Sequence, residues 1–210
     1  MPIVTRRLAL LGLMTPALAA CGGGNKASGA AGGPVPDDMS LGNPAAKVTV
    51  VEYASVACPV CGRWYKEVWP AFKAKYVDTG KVNYILREML VGDASEQAIA
   101  ASGFLLARCA GKDKYFAVVD AVFKSQPGLY DDPRTVLSGI AKTFGLSDAQ
   151  FDACVRNEAG LNALSLRVAN NAKIGAVDAT PTFVINGKAL DPGYQPLAVI
   201  DTAIAQAQAA

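Results

Sequence analysis

The chain has 210 residues, and its 20 lysines and arginines stand against 18 aspartates and glutamates, so the formal charge is only +2. This balance excludes the strongly basic surface expected of a nucleic-acid-binding protein or of a protein held electrostatically on a membrane. The chain has five cysteines and no histidine, which excludes a cysteine hydrolase because that chemistry needs an imidazole base.

The N-terminus has the pattern of an export signal. Two arginines precede an apolar stretch, residues 8–20, which is shorter than the roughly 20 apolar residues that span a bilayer. The stretch ends in LAAC, which resembles the lipobox of bacterial lipoproteins and contains Cys21. We predict a signal peptide over residues 1–20 and lipidation of Cys21. The alternative is ordinary signal cleavage beside a stray cysteine.

A flexible tether is predicted next. Residues 22–36 are rich in Gly, Ala, Ser and Pro and show no apolar periodicity. We therefore assign residues 21–38 to a lipidated tether and residues 39–210 to a folded, periplasmic domain on a membrane anchor. Gly22 is not the aspartate that often retains lipoproteins at the inner membrane, so by resemblance the outer membrane is favoured over the inner one.

The most informative part of the chain joins a predicted strand to a predicted helix. Residues 48–53 form an apolar, β-branched run that predicts a buried strand. A short link leads to Cys58-Pro59-Val60-Cys61, and aromatic residues follow at helical spacing. A thiolate at a helix N-terminus faces free N–H groups and the positive end of the helix dipole. Both lower the pKa of Cys58, whose thiolate is the nucleophile in disulfide exchange.

The two cysteines therefore predict a redox centre that cycles between dithiol and disulfide. The alternatives are half of a zinc site and an inert structural clip. A structural zinc site needs two further ligands, usually a second close cysteine pair. The chain has no histidine, and its other cysteines stand alone, so no metal site is predicted.

The rest of the chain alternates between strand and helix patterns. Residues 81–87 alternate in polarity and predict a second strand, whereas residues 93–175 repeat apolar side chains at helical spacing and predict four or five helices. The last predicted elements are a strand, a tight hairpin turn, a return strand and a C-terminal helix, over residues 182–185, 186–187, 188–190 and 195–208.

This order of elements resembles the thioredoxin superfamily and, within it, the DsbA-like thiol-disulfide oxidoreductases. The resemblance is carried by VVEYASVACPVC (50–61), by ATPTFVING (179–187) and by the helical block between them, and it covers residue 41 to the C-terminus. It implies an α/β thioredoxin fold with a helical domain inserted between the second strand and a cis-proline at Thr180-Pro181. The alternative for this proline is an ordinary residue at the start of a strand.

The resemblance also implies roles for the residues around the cysteines. Cys58 is the exposed nucleophile, and Cys61 is the buried thiol that resolves the mixed disulfide. Glu52 lies beneath the site and exchanges a proton with the resolving thiol. Lys47 and Arg87 are candidate charge partners for Glu52, and the alternative is that this acid faces solvent on the outer side of its strand.

Substrate contact is assigned by resemblance to Thr180, Pro181, Pro59 and Val60, with the backbone of Thr180 free to pair with an extended peptide. Two of these residues depart from the usual pattern. Val60 replaces a frequent histidine, so Cys58 should be less acidic and the disulfide less oxidising than in a Cys-Pro-His-Cys site. Threonine before the cis-proline is commoner in reductase and isomerase relatives.

Two cysteines remain, Cys109 and Cys154, and an even pair in an oxidising compartment predicts a structural disulfide. The alternative is two separate buried thiols.

These features together predict a monomeric oxidase that forms disulfides in cysteine-containing exported proteins. No cofactor and no nucleic acid are expected, and a redox partner, unidentified, must reoxidise the site. A reductase or isomerase on the same fold, or a non-catalytic peptide-binding or chaperone module, are the alternatives.

Overall fold

A computed structural model of the chain describes Met1 and residues 33–210, so the predictions for the signal peptide and Cys21 lie outside the described residues. Its strands are β1 (Met39–Gly42), β2 (Val48–Ala54), β3 (Val82–Glu88), β4 (Thr182–Ile185) and β5 (Lys188–Ala189). They form one sheet in the order β1-β3-β2-β4-β5. The central strands β2 and β3 are parallel, and the other neighbours are antiparallel.

The central strand β2 is buried on both faces, as its apolar run predicts. Val50 and Ala54 belong to the larger core, whereas Val51 and Tyr53 belong to a smaller cluster on the opposite face. Because side chains alternate along a strand, Glu52 points into the larger core with Val50, and it is fully buried. The alternative of a solvent-facing acid is therefore wrong.

The helical block lies where the sequence predicts it. Its helices are α3 (Ala94–Cys109), α4 (Lys112–Lys124), α5 (Gln126–Leu129), α6 (Pro133–Thr143), α7 (Asp148–Val155) and α8 (Glu158–Gly175). Six segments replace the predicted four or five. The Pro127-Gly128 pair, interpreted as a break, instead lies inside the single turn of α5, where proline is tolerated because it falls in the first turn of the helix.

The remaining helices pack on the sheet. They are α1 (Pro59–Glu67), α2 (Trp69–Phe72) with a π-helical turn over Lys73–Val77, and the C-terminal α9 (Leu197–Ala209). α9 contributes Ile200 and Ile204 to the larger core. Within residues 33–210, no helix combines the length and the apolar character that a membrane crossing requires.

The N-terminal edge of the domain differs from the prediction. Strand β1 was not expected, because four residues of mixed polarity give no periodic signal. The guanidinium of Arg87 donates to the carbonyl O of Gly33 at 2.6 Å and pairs with Asp38 at 3.0 Å. Its side chain is fully buried, and a buried charge requires such partners. Residues 33–38 of the predicted tether therefore contact the fold through Gly33 and Asp38.

A buried carboxylate attaches the helical block to the sheet. Glu88, at the end of β3, accepts hydrogen bonds from Arg108 of α3 at 2.6 Å, Tyr115 of α4 at 3.0 Å and Arg167 of α8 at 2.9 Å. Both of its oxygens are thus satisfied by groups from three helices. Since charge-assisted bonds are the strong ones, this contact fixes the position of the block beside the active-site edge.

A disulfide joins Cys109, the last residue of α3, to Cys154 in α7. The two cysteines are 45 residues apart in sequence, and both lie inside the helical block.

Replacing both cysteines by alanine is expected to lower the free energy of unfolding by about 4 kcal/mol, the chain-entropy value for a loop of this length. Urea denaturation of oxidised wild type and of the double variant measures the difference. The alkylation rate of Cys58 is the internal control and should not change, because the pair lies outside the active site. Recovery of Cys109 and Cys154 as free thiols after purification under oxidising conditions would contradict the prediction.

Candidate active site

Cys58 occupies the N-cap of α1, between the end of β2 and the first helical turn. Its backbone is extended, and Pro59 follows at the first helical position, where a missing N–H costs nothing. The carbonyl O of Cys58 accepts the first helical hydrogen bond, from Gly62 N at 3.0 Å. Cys61 lies one turn further along and is fully buried, whereas Cys58 is partly exposed. The two thiols therefore differ in access to a client protein.

The electrostatics of the two thiols also differ. Hydrogen bonds from the Cys61 thiol, from the Thr180 side chain and from the backbone N–H groups of Cys61 and Val60 lower the pKa of Cys58 to about 5, against the opposing effect of partial burial. Burial, together with the neighbouring Cys58, raises the pKa of Cys61 well above its ordinary value. At neutral pH the reduced site thus holds one thiolate, at Cys58, and one thiol, at Cys61.

The opposite wall of the site is formed by the segment before β4. Thr180-Pro181 has a cis peptide bond, and the carbonyl O of Thr180 lies 3.6 Å from Sγ of Cys58. Pro181 is buried, while Pro59 and Val60 are exposed beside the nucleophile. The structure thus brings together all four residues to which substrate contact was assigned.

Glu52 lies beneath the cysteines in the larger core. Its Oε2 accepts a hydrogen bond from the Tyr84 hydroxyl at 2.5 Å. Burial raises the pKa of Glu52 to about 8; the Tyr84 hydrogen bond opposes this shift, and the Cys58 thiolate adds to it. Neither candidate charge partner is found there, since Arg87 binds Asp38 and Lys47 donates to the carbonyl O of Gln208. A tyrosine replaces the expected cation.

Two residues of the helical block that were not identified from the sequence hold the active-site loop. Gln126 donates through Nε2 to the carbonyl oxygens of Val56, at 2.7 Å, and Cys58, at 3.0 Å. Tyr130 donates its hydroxyl proton to the carbonyl O of Ala57. These bonds reach the carbonyl oxygens of three successive loop residues, of which that of Cys58 also accepts the first hydrogen bond of α1. The only sequence signal is a polar side chain beside the Pro127-Gly128 pair.

Gly62 makes room for this contact. A Cβ atom at Gly62 would lie 1.8 Å from Oε1 of Gln126, a distance at which the amide would have to leave its place. The glycine one residue after Cys61 thus lets α5 approach the helix that carries both cysteines.

Among residues 33–210, no group of three or more Cys, Asp or Glu side chains is arranged to hold a metal ion. The chemistry available at the site is that of the two thiols and the buried carboxylate.

Comparisons with known proteins point to one family. Residues 35–201 match the family Thioredoxin_4, described as thioredoxin. A putative protein-disulfide oxidoreductase of Rickettsia conorii is 31% identical over 177 residues, which cover 81% of this chain and 60% of the relative. The corresponding protein of Rickettsia typhi is 32% identical over 154 residues, covering 72% of this chain and 55% of the relative. The chain thus spans somewhat more than half the length of these curated relatives.

Solved structures give the same picture. The crystal structure of Wolbachia pipientis alpha-DsbA1 superimposes with a TM-score of 0.72 at 28% identity, covering 84% of this chain and 95% of that protein. Oxidised BdbD of Bacillus subtilis superimposes with a TM-score of 0.70, covering 85% of this chain and 97% of BdbD. Its identity of 16% makes it a likeness of fold alone.

Proposed function

Because this chain belongs to the thioredoxin family, as a DsbA-like member, we propose that it is a thiol-disulfide oxidoreductase that forms disulfides in exported proteins. The predicted thioredoxin fold with a helical insertion is confirmed by these likenesses and by the order of its elements. The observation that carries the proposed activity is the pairing of an acidic, partly exposed Cys58 with a buried Cys61 of raised pKa.

In the oxidising direction, a client thiolate attacks Sγ of Cys58 in the Cys58–Cys61 disulfide. The S–S bond breaks, and Cys61 leaves as a thiolate that takes a proton from the neutral carboxyl of Glu52. A second client thiolate then attacks the client sulfur of the mixed disulfide, and Cys58 leaves as its stabilised thiolate. Two electrons have passed from the client to the enzyme, and a redox partner must remove them.

The direction of electron flow is supported by the stability of the Cys58 thiolate. Stabilising the thiolate favours the reduced site and makes the disulfide a stronger oxidant. The Cys61 thiol, Thr180 and the backbone N–H groups at the helix N-terminus supply this stabilisation, and the Val60 side chain adds no charge to it. The proposed substrates are therefore reduced cysteine pairs that are exposed in extended or unfolded exported chains.

The reduction potential of the Cys58–Cys61 couple tests this proposal. We expect a value between those of thioredoxin, about −270 mV, and DsbA, about −120 mV. Val60→His should raise the potential and lower the pKa of Cys58 together, because an imidazolium stabilises the thiolate, whereas the neutral control Val60→Gln should change neither. Equilibration with glutathione measures the potential. A wild-type potential more negative than that of thioredoxin would contradict the oxidase proposal and favour a reductase. Insulin reduction no faster than background would contradict thiol-disulfide oxidoreductase activity of either kind.

The proposal extends to location. We infer a signal peptide over residues 1–20 and a periplasmic domain that starts at residue 39, held to a membrane, with the outer one favoured, through lipidated Cys21. The tether would cover residues 21–38, of which the last six pack on the domain. A monomer is sufficient for the proposed exchange, because both cysteines come from one chain.

Cys21→Ser is expected to move the protein from the membrane to the soluble fraction, because the lipid is the proposed anchor. Fractionation and incorporation of labelled palmitate measure the change. Ala20→Gly, which keeps a small residue before the cysteine, is the control and should remain membrane-bound. Wild-type protein that takes up no label, together with a Cys21→Ser variant that stays on the membrane, would exclude the anchor.

A further inference from the structure

Two buried polar atoms near the active site have no hydrogen-bond partner among the described residues. They are Oε1 of Glu52 and the hydroxyl of Tyr65. Glu52 is fully buried and Tyr65 is 3% exposed. Buried polar side-chain atoms are satisfied by protein or by ordered water in the great majority of cases, and each exception calls for an explanation. One ordered water between the two atoms would satisfy both of them.

Tyr65 belongs to the same aromatic cluster as the partner of Glu52. It lies on α1 four residues after Cys61, and therefore on the same helix face. Its ring is stacked between Trp69 at 4.9 Å and Phe123 at 4.2 Å. Trp69 in turn lies 4.8 Å from Tyr84, whose hydroxyl holds the other oxygen of Glu52. The packing thus holds the Tyr65 ring in one orientation within the aromatic cluster that also contains Tyr84, the partner of Glu52.

Tyr65, although buried, also borders a cavity that opens to solvent. The residue lines an open cavity of about 530 Å³ between α1 and α4, and Asp120 and Lys124 line the same cavity. The carboxylate of Asp120 is partly exposed and pairs with Lys124 at 2.5 Å. Burial is the main cause of the raised pKa of Tyr65, and the charges of Glu52 and Asp120 raise this pKa further. Tyr65 therefore shares a cavity with the solvent-contacting carboxylate of Asp120 and is electrostatically coupled to the buried Glu52.

Glu52 needs such a route if it exchanges protons with Cys61. Both groups are fully buried, so neither can exchange a proton directly with bulk water. Four titratable groups interact electrostatically or by a hydrogen bond with Glu52. They are Tyr84 on β3, Cys58 at the N-cap of α1, and Cys61 and Tyr65 within α1. Of these, Tyr65 alone lines the cavity that contains Asp120.

We propose that Tyr65 is a positioning residue that conducts protons between Glu52 and solvent at Asp120, through a water that bridges Oε1 of Glu52 and the Tyr65 hydroxyl. This inference rests on the proposed exchange activity. When Cys61 leaves as a thiolate, it takes the proton of Glu52. The bridging water protonates Glu52 and receives the Tyr65 proton, and the hydroxyl receives one from a second water in the cavity beside Asp120, because no described residue bonds to it directly. The net result is one proton moved from solvent to Cys61, and reoxidation reverses it.

Tyr65→Phe tests the route because it removes the hydroxyl and keeps the stacked ring. Stopped-flow reduction of the oxidised enzyme by a small dithiol, and its reoxidation, should both slow by about tenfold or more, the lower range for general acid–base effects. The reduction potential and the pKa of Cys58 should stay at wild-type values, because a proton conduit changes rates in both directions equally. The solvent deuterium isotope effect on reduction should rise.

Two variants of α4 complete the test. Asp120→Asn should slow both directions, by less than Tyr65→Phe, whereas Asp113→Asn, which removes another carboxylate from the same helix and the same cavity, should match wild type. Wild-type rates in folded Tyr65→Phe protein would overturn the proposal, and so would a rate change that is accounted for by a shifted potential. Absence of exchange in the wild type would instead refute the proposed function itself, so the two failures are distinguishable.

Discussion

Cys61→Ala protein is expected to accumulate as a mixed disulfide with its clients, whereas Cys58→Ala protein should lose exchange altogether. The Cys58 thiolate still attacks a client disulfide, but the thiol that would resolve the product is missing. Non-reducing gels of cells expressing each variant measure the adducts. Trapping by Cys58→Ala instead would reverse the roles of the two cysteines.

The same assignment has a chemical test in the reduced wild type. A thiolate of low pKa is intrinsically less nucleophilic, with a Brønsted slope of about 0.45. For a pKa of about 5 at Cys58, this loss offsets most of the gain in ionisation at pH 7. At pH 5.5, however, Cys58 should alkylate roughly 40-fold faster than a thiol with the ordinary pKa of 9.0, by the same slope, and the ratio is larger for a thiol of higher pKa. Burial of Cys61 increases the difference, and mass-spectrometric mapping of the labelled site measures it.

The stability of the oxidised protein should fall as the pH rises from about 4.5 to about 8, because the folded state keeps a proton on Glu52 that the unfolded chain releases. The pKa of this group is raised in the folded state, so its contribution is complete below 4.5 and is lost on passing through 8. At 1.36 kcal/mol for each pH unit, the loss approaches about 5 kcal/mol as an upper value. The oxidised form is used because Cys58 then does not titrate. Its thiolate then no longer adds to the pKa of Glu52, so the loss is complete at a pH below 8 and is smaller than this upper value.

Glu52→Gln should remove this dependence and make the protein more stable than wild type at pH 8, since the amide keeps the Tyr84 contact without a charge. Glu158→Gln, at an exposed position on α8, is the control and should keep the wild-type slope. Urea denaturation at pH 5, 6.5 and 8 measures the three proteins. An oxidised wild type with equal stability at all three values would show that Glu52 is ionised normally.

Local sequence signals suffice for the centre of the site but not for its surroundings. The strand before Cys58, the helix after Cys61 and the Thr-Pro pair before β4 each have a short-range pattern. Gln126, however, contacts a loop residue 70 positions away, and Tyr84 lies 32 positions from Glu52. No periodicity records such pairings, because they depend on how the helical block and β3 are placed in space.

The predicted charge partners of Glu52 also show that pairing across the sheet cannot be read from local sequence. Lys47 and Arg87 were reasonable candidates for Glu52, since strand neighbours often pair. Arg87 lies on β3 one register position from Leu86, the direct partner of Glu52, and its side chain therefore points to the opposite face of the sheet. The register of β2 and β3, which the sequence alone does not specify, decides that Tyr84 and not Arg87 meets the acid.

The bonds from Gln126 and Tyr130 mean that the helical block is not a detachable module. A shortened chain that kept the sheet, α1 and the Thr180-Pro181 segment would retain both cysteines and lose the donors to Val56, Ala57 and Cys58. The block therefore supplies part of the hydrogen bonding of the loop that presents the nucleophile. Exchange of insertions between relatives would likewise carry part of the loop's hydrogen bonding with it, and a side chain at the position of Gly62 would displace the amide of Gln126.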